Sequence, residues 1–269
     1  MIREGLRQDT LLGFAENGAV ATCFMQSVFE AATEDSLRGE KRRWGDWFFG
    51  NGPYIVDNRA RIARYFLECT DKQWLWMLDN DIKFPADSLY RLLDAAEEFD
   101  YKVIGAAYWN QYPGTHCYLS WLVFTTDKLH AVPELPEDRS VPCEVSSVGM
   151  GCTLIHRDVL QDVANRHPND PWDTFGQDIL VQFADGEQPA FVMARSPEDF
   201  DEDMLLKRPI ARIDRCGEDV TFCLRARREG HQIWGLPSLE VEHFKPHFMN
   251  HGDGAPSIRV VEPDLAEAV

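Results

Sequence analysis

Two carboxylates separated by one residue follow a long apolar run in the first third of the chain. The stretch from Trp74 to Pro85 reads WLWMLDNDIKFP, so that Asp79 and Asp81 come directly after five large apolar residues. An apolar run of this length is typical of a buried strand in a parallel sheet, and such sheets bind ligands at the carboxyl ends of their strands. Both side chains are therefore predicted to lie at a binding edge.

Three kinds of chemistry use an Asp-x-Asp pair at a strand end. The pair can bind Mg²⁺ or Mn²⁺ together with a diphosphate, because hard cations prefer oxygen ligands and neutralise a phosphate leaving group. The first Asp can accept a phosphoryl group, as in haloacid-dehalogenase-like phosphatases, but these prefer a small Thr or Val where this chain has Lys83. A Walker B strand needs a GxxxxGK[ST] loop, which the sequence lacks. The non-catalytic alternative is a solvated pair that caps the following helix.

A second acidic pair opens a predicted helix near the end of the chain. The helix spans Gly217–Gly230, with Glu218 and Asp219 in its first turn and arginines in its second half. A carboxylate in this place can act as a general base, although the helix dipole alone also favours acidic residues there. Both interpretations stay open on the residues themselves.

A run of histidines follows the last predicted strand, Ile233–Val241. His243, His247 and His251 are spaced by four, which would suit a zinc site on a helix, but Pro246 interrupts that helix. His243 alone, at the end of a strand, is either a structural residue or a metal ligand.

Strand and helix patterns alternate through the first part of the chain. The predicted elements are a strand at Thr10–Phe14, a helix within Gly18–Thr33, a strand at Trp44–Phe49, a helix at Asp57–Glu68 capped by Asp57 or Asn58, the strand of the Asp pair, a helix at Ala86–Phe99 and a strand at Tyr101–Tyr108. Repeated βα units of this kind predict an α/β fold with a mostly parallel central sheet flanked by helices.

The pattern changes to short β-like pieces after Thr115, which predicts a smaller mixed β part beside the central sheet. Residues Asn165–Arg208 are rich in Pro, Asp and Glu, and we expect a long excursion that is irregular near Ser196–Asp203. Residues 1–251 are predicted to form a single domain, and residues 252–269 a disordered tail.

The overall composition limits the kinds of binding partner to be expected. The 45 acidic and 27 basic residues give a formal charge of −18, which opposes a large nucleic-acid footprint. The seven cysteines form no CxxC pair, which fits a reducing cytoplasm. No run approaches the ~20 apolar residues of a membrane-spanning helix, so no membrane partner is expected.

Taken together, these motifs resemble a GT-A (Rossmann-like) glycosyltransferase of the family-2-like group often encoded by bacteriophages. The resemblance covers roughly Asn51–Pro246. It rests on the order and spacing of NRARIARYFLE, WLWMLDNDIKFPADSLYRLL, KVIGAAYWNQYPG, SSVGMGCTLIHRDVL, GEDVTFCLRARREGHQIWG and SLEVEHFKP. It departs from the family where relatives commonly have Arg-Asn in the early helix and this chain has Arg59-Ala60.

The resemblance implies a role for each motif residue. Asp79 and Asp81 would bind Mn²⁺ or Mg²⁺ and the ribose or diphosphate of a nucleotide-sugar donor, most simply a UDP-sugar, and His243 would complete the metal site. Asp219 would be the base of an inverting reaction, with Glu218 as its alternative or as an orienting group.

Further residues would contact the two substrates. Donor contacts are expected from Arg59, Arg61, Asn80 and Lys245. Contacts to the sugar or the acceptor are expected from Trp109, Tyr112, Trp172, Gly149 and Gly151, through aromatic stacking or close backbone approach.

The resulting hypothesis is a metal-dependent transfer of a sugar to a hydroxyl acceptor, which is a glycan, a small molecule or a modified base in DNA. A hydroxymethylated base would require a local basic patch, for which Lys41–Arg43 and Arg225–Arg228 are candidates. Two alternatives are a non-catalytic module that binds nucleotide-sugars and a nucleotide-sugar pyrophosphorylase. The latter expects a basic Gly-rich loop after the first strand, and GFAENGAV matches this poorly.

Overall fold

The computed structural model describes residues 8–16, 18–110, 118–124, 129–132, 134–166, 174–183, 190–192 and 210–244. Its helices are α1 (Thr22–Leu37), α2 (Ile55–Cys69), α3 (Ser88–Phe99), α4 (Arg157–Asn165) and α5 (Glu218–Arg228), with a short 3-10 turn at Gly39–Lys41. Its strands are β1 (Thr10–Glu16), β2 (Trp44–Asn51), β3 (Trp74–Asp79), β4 (Ile82–Lys83), β5 (Val103–Ala107), β6 (Trp109–Asn110), β7 (Tyr118–Leu119), β8 (Leu122–Phe124), β9 (Leu129–Ala131), β10 (Cys143–Val145), β11 (Cys152–His156), β12 (Ile179–Phe183), β13 (Ala190–Val192), β14 (Ile210–Arg215), β15 (Ile233–Glu240) and β16 (Glu242–His243).

A seven-stranded sheet in the order β10-β15-β5-β11-β3-β1-β2 forms the centre of the fold. β1 pairs in parallel with β2 and β3, and β15 pairs in parallel with β5. β11 runs antiparallel to both β3 and β5, and β10 is antiparallel to β15. Five of the seven strands therefore share one direction, and the predicted α/β fold with a mostly parallel sheet is confirmed.

Alternate residues of β3 pack on opposite faces of this sheet, as the period of a strand requires. Trp76 and Leu78 join the core cluster that contains the apolar faces of α1 and α3. Leu75 and Met77 join the second cluster, with residues of α2, α4 and α5. Because both faces are covered by helices, β3 is apolar at every position until it reaches Asp79.

Helix α2 begins two residues before the predicted start. Its N-cap is Tyr54, which makes no side-chain capping bond, so the expected cap at Asp57 or Asn58 is wrong. Asn58 is buried instead, and its amide group donates to the carbonyls of Glu16 and Gly52 at 2.7 and 2.9 Å. The side chain therefore joins the end of β1 to the loop that precedes α2.

Several predictions concern residues outside the described part of the chain. These are the irregular segment at 196–203, the disordered tail, and the histidines at 247 and 251. Within the described residues, none of the helices combines the length and apolar character needed to span a bilayer.

Arg157 is expected to hold the carboxyl end of α2, which gives a first testable prediction. Its guanidinium donates to the backbone carbonyls of Phe66, Thr70 and Lys72 at 2.6–2.8 Å and stacks on the Phe66 ring. Since these carbonyls lie at and after the last turn of the helix, Arg157→Ala should lower the free energy of unfolding by about 2–3 kcal/mol. Urea denaturation followed by circular dichroism measures this loss.

The matched control is Arg64→Ala, which removes an arginine on the exposed side of the same helix that pairs with Glu68 four residues on. We expect a change of at most ~0.5 kcal/mol there. Equal losses in the two variants would show that Arg157 does not cap α2.

Candidate functional site

A cleft of about 380 Å³ lies across the carboxyl ends of the parallel strands β1 and β3 and the amino end of α5. It is lined by Ala15, Glu16, Pro53, Ile55, Asn58, Arg59, Asp79, Asn80, Asp81, Tyr108, Glu218, Asp219 and His243. Seven of these residues were selected as site residues from the sequence, and they come from four separate parts of the chain, since Arg59 on α2 is one of them. The fold therefore brings the Asp-x-Asp turn, the acidic pair of α5 and the C-terminal histidine to one place.

His243 is brought to Asp81 by a small two-stranded sheet. β4 follows the Asp-x-Asp turn and pairs antiparallel with β16, so that His243 lies opposite Ile82. The N–H of Phe244 donates to the carbonyl of Asp81 at 2.7 Å and extends this pairing. As a result, Nε2 of His243 lies 3.2 Å from Oδ2 of Asp81.

Arg59 is the buried positive charge of the cleft, with a side chain only 4% exposed. Its Nη2 donates to both carboxylate oxygens of Asp79, at 2.7 and 2.9 Å, and its Nη1 donates to Oε1 of Glu218 at 2.5 Å. Although burial opposes the charged form, Asp79 and Glu218 raise the pKa of Arg59 above its ordinary value. The guanidinium therefore stays charged and ties the end of β3 to the start of α5.

Asp219 differs from its neighbour Glu218 because it has no ion-pair partner among the described residues. Within that part of the chain, its carboxylate accepts one hydrogen bond, from the N–H of Val220 at 2.7 Å. Burial, reinforced by the charge of Glu218, raises the pKa of Asp219 to about 6, even though Arg59 opposes the shift. A carboxylate with this pKa is ionised at neutral pH and is basic enough to accept a proton.

Asn80 connects the Asp-x-Asp turn to the loop between β1 and α1. Its side-chain amide donates to the backbone carbonyl of Ala19, and its backbone carbonyl accepts the N–H of Ala21 at 3.0 Å. The side chain thus fixes the position of the turn, while the residue itself lines the cleft.

Tyr108 lines the cleft, although the sequence analysis did not select it. It is 4% exposed, its ring meets that of His243 edge-on, and its hydroxyl accepts the N–H of Gly151 at 3.2 Å. A Cβ on Gly149 would lie 2.0 Å from this hydroxyl, which explains the glycine by packing of the phenol. Burial, with added effects of Asp79 and Asp219, raises the pKa of Tyr108 well above its ordinary value. The sequence feature that could have identified Tyr108 is its position at the carboxyl end of a predicted strand, Tyr101–Tyr108.

Other predicted contact residues lie away from the cleft lining. Arg61 is exposed and donates to the carbonyl of Asn51 at 2.8 Å, and Trp109 is 39% exposed on β6. Gly149 and Gly151 are absent from the cleft lining, although both pack against Tyr108 and the carbonyl of Gly151 accepts the N–H of Asp79 at 3.0 Å. Tyr112, Trp172 and Lys245 lie outside the described residues, and their roles stay predictions.

The fit of the cleft to a divalent cation can be tested on the Asp81–His243 pair. Two adjacent ligands of an octahedral ion at about 2.1 Å lie about 3.0 Å apart, which is close to the observed 3.2 Å. In the described part of the chain, no three His, Cys, Asp or Glu side chains are grouped to hold a metal. The pair therefore fits a cation whose remaining ligands are substrate oxygens and water.

Comparison with known proteins gives a partial family match. Residues 60–164 match the family described as Glycosyl transferase family 2. The matched segment contains β3, the Asp-x-Asp turn and Tyr108, but it ends before α5 and His243. This match supports the assignment of the chain as a glycosyltransferase.

Two solved structures are similar to the chain. The crystal structure of A197 from STIV has a TM-score of 0.49 and 17% sequence identity, covering 88% of this chain and 86% of that chain. The crystal structure of GalNAc-T7 with UDP, GalNAc and Mn²⁺ has a TM-score of 0.48 and 11% identity, covering 93% of this chain and 45% of that chain. No curated protein matches the sequence. The assignment to glycosyltransferases rests on the family match, and the relationship to phage enzymes stays a prediction.

Proposed function

We propose that the chain transfers a sugar, with inversion and with the help of a divalent cation, from a nucleotide-sugar to a hydroxyl acceptor. The observation that carries this proposal is the contrast between two kinds of carboxylate in one cleft. Asp81 lies beside His243, where a cation fits, whereas Asp219 has no ion-pair partner among the described residues and has a raised pKa. Asp81 is therefore suited to bind a cation, and Asp219 is suited to accept a proton.

Asp219 is the proposed general base. It would take the proton of the acceptor hydroxyl while that oxygen attacks the anomeric carbon on the face opposite the leaving group. Glu218 is less suited to this role because its carboxylate is held by Arg59 at 2.5 Å. We assign to Glu218 the task of keeping α5 in place beside the end of β3.

Asp81 and His243 are the proposed metal ligands, with Mn²⁺ or Mg²⁺ as the cation. When bound, such a cation would neutralise charge on the departing diphosphate. Asp79 already accepts two hydrogen bonds from Arg59, so its proposed role is to position the donor, next to Asn80. Because the protein supplies few ligands, we expect weak binding of Mn²⁺ alone and tighter binding together with UDP.

The expected nucleotide is UDP, and a glycan or small-molecule hydroxyl is the first-choice acceptor. A base in DNA ranks lower because the two basic clusters are largely neutralised by ion pairs. Arg43 pairs with Asp9, and Arg225 pairs with Asp178. A single catalytic domain over residues 1–251 and a cytoplasmic location belong to the same proposal.

The test is a hydrolysis screen of common nucleotide-sugars with Mn²⁺ and with EDTA. We expect slow release of UDP from one UDP-sugar with Mn²⁺, loss of this activity in EDTA, and its recovery when Mn²⁺ is restored in excess. Asp81→Ala should lower the activity at least ~100-fold, because it removes a charged ligand of the cation.

Asp94→Ala is the matched control, since Asp94 is an exposed carboxylate on α3. It should match the wild type. Hydrolysis that is equal in EDTA and Mn²⁺, or an Asp81→Ala variant as active as wild type, would contradict metal dependence.

A further inference from the structure

The hydroxyl of Tyr108 has a hydrogen that no group in the described part of the protein accepts. Its oxygen accepts the Gly151 N–H at 3.2 Å, and this is the one hydrogen bond of the hydroxyl within the described residues. A phenol can donate one hydrogen bond as well as accept. Buried polar hydrogens almost always have an acceptor, so this one points to an acceptor supplied by a ligand.

The position of the hydroxyl is fixed before any ligand binds. Gly149 and Gly151 leave the space that the end of the ring fills, because a Cβ on either would approach it to 3.0 Å or less. On another side, the ring meets His243 with centroids 5.5 Å apart. A donor held in this way loses little conformational entropy when it forms a hydrogen bond, which makes it suitable for discrimination between substrates.

The place of Tyr108 in the sheet indicates which part of a substrate it meets. Tyr108 follows β5, and its side chain extends to Gly151, the residue before β11, whose carbonyl accepts the N–H of Asp79 at 3.0 Å. The phenol therefore approaches the Asp-x-Asp turn from the side of β5 and β11. Glu16 and Pro53 line the cleft on the opposite side of β3. If the diphosphate lies near Asp81, as the proposed function requires, the nucleoside and Tyr108 are on opposite sides of it.

The charges around the phenol indicate the chemistry of its partner. Asp79 and Asp219 line the same cleft, and their negative charges act on Tyr108 more strongly than the opposing positive charge of Arg59. A phosphate oxygen can accept from Tyr108 but has no hydrogen to donate to a carboxylate of the cleft, whereas a hydroxyl can accept from Tyr108 and donate to a carboxylate at the same time. The best partner is therefore a neutral hydroxyl group.

We propose that Tyr108 is a specificity-determining residue whose O–H donates a hydrogen bond to a sugar hydroxyl of the donor or of the acceptor. This inference rests on the proposed function and adds to it the group that selects the sugar. Because Tyr108 and the nucleoside lie on opposite sides of the diphosphate, we expect Tyr108 to contribute to the binding of a UDP-sugar or of the acceptor and not to the binding of UDP.

The experiment compares wild type with Tyr108→Phe, which keeps the ring and removes only the hydroxyl. Tyr101→Phe is the matched control, because Tyr101 stacks on Trp234 outside the cleft. Titration calorimetry with UDP and Mn²⁺ should give dissociation constants within twofold for all three proteins. If the partner is on the donor, kcat/KM for UDP-sugar hydrolysis should fall about 10–100-fold in Tyr108→Phe alone.

Donors that lack one ring hydroxyl at a time identify the partner. One of them should lower kcat/KM of the wild type by the same factor and leave Tyr108→Phe unaffected. The comparison of complete and deoxygenated donors on the wild-type protein does not depend on how well the variant folds. If the partner is on the acceptor, donor hydrolysis should stay unchanged and transfer should fall.

Two results would overturn the inference. The first is a Tyr108→Phe variant that matches wild type in both hydrolysis and transfer. The second is a variant in which UDP binding is weakened as much as UDP-sugar binding, which would indicate a structural or nucleotide-binding role. If wild type binds neither UDP nor any UDP-sugar, the proposed function fails and this inference fails with it.

Discussion

Asp219→Asn is expected to lower kcat for transfer by about 10²–10⁴-fold while the affinity for UDP and Mn²⁺ stays within threefold of wild type. The amide has the same shape and can still accept the N–H of Val220, which the carboxylate accepts at 2.7 Å. The start of α5 should therefore be preserved. What the amide loses is the ability to take the proton of the acceptor hydroxyl, so the expected loss is in the chemical step. Single-turnover kinetics with a saturating donor measures it.

Glu218→Gln is the comparison that separates the two neighbouring acids. Its carboxylate is bound to Arg59, so we expect a smaller fall in kcat together with a loss of stability. If Glu218→Gln removed transfer while Asp219→Asn retained it, the base would be Glu218 and the assignment would be reversed.

The pH dependence of wild-type transfer follows from the raised pKa of Asp219. A general base acts in its ionised form, so kcat/KM should be constant at neutral pH and fall as the pH drops through about 6, tenfold per unit below that value. An unperturbed Asp would place this limb near 3.9. The residual activity of Asp219→Asn should lack the limb near 6. A limb that persists in this variant would belong to another group.

Two parts of the site, the end of β3 and the start of α5, could be predicted from the sequence. Residues Trp74–Leu78 are buried on both faces of the sheet, so their apolar character and the abrupt change at Asp79 are visible in a single stretch. The acidic start of α5 is likewise a local pattern. Both patterns can be recognised without knowing which residues pack against them, because strand burial and the helix dipole each act on consecutive residues of the sequence.

Pairing between distant residues was not predictable in this way. Arg59 and Glu218 are 159 positions apart, and nothing local indicates that one guanidinium serves both Glu218 and Asp79. The antiparallel insertion of β11 between β3 and β5 is similarly absent from the βα pattern. This reversed strand is preceded by Gly149 and Gly151, whose fit around Tyr108 depends on tertiary packing.

Arg59→Met is expected to lower the free energy of unfolding by about 3–5 kcal/mol at neutral pH, because it leaves buried carboxylates without their counter-charge. The affected groups are Asp79 and Glu218, which pair with the guanidinium, and Asp219, whose pKa it lowers. The pKa of Asp219, which is already raised to about 6, should rise further above its value in the unfolded chain once Arg59 is removed. Stability of the variant should therefore fall as the pH rises, so its deficit should be larger at pH 8 than at pH 5. Urea unfolding at the two values measures this difference.

Arg43→Met is a closely matched control for the kinetic part of this prediction. Arg43 is also buried and also pairs with two carboxylates, Asp9 and Glu97, both at 2.8 Å, but it lies outside the cleft. Both variants should lose stability. Only Arg59→Met should move the limb of kcat/KM above pH 6, since Arg59 lowers the pKa of Asp219 and Arg43 does not contribute to it. Arg59→Lys, which keeps the charge without the planar fork, should move the limb less than Arg59→Met does. A limb that stays near pH 6 in Arg59→Met would show that the charge of Arg59 does not act on the base.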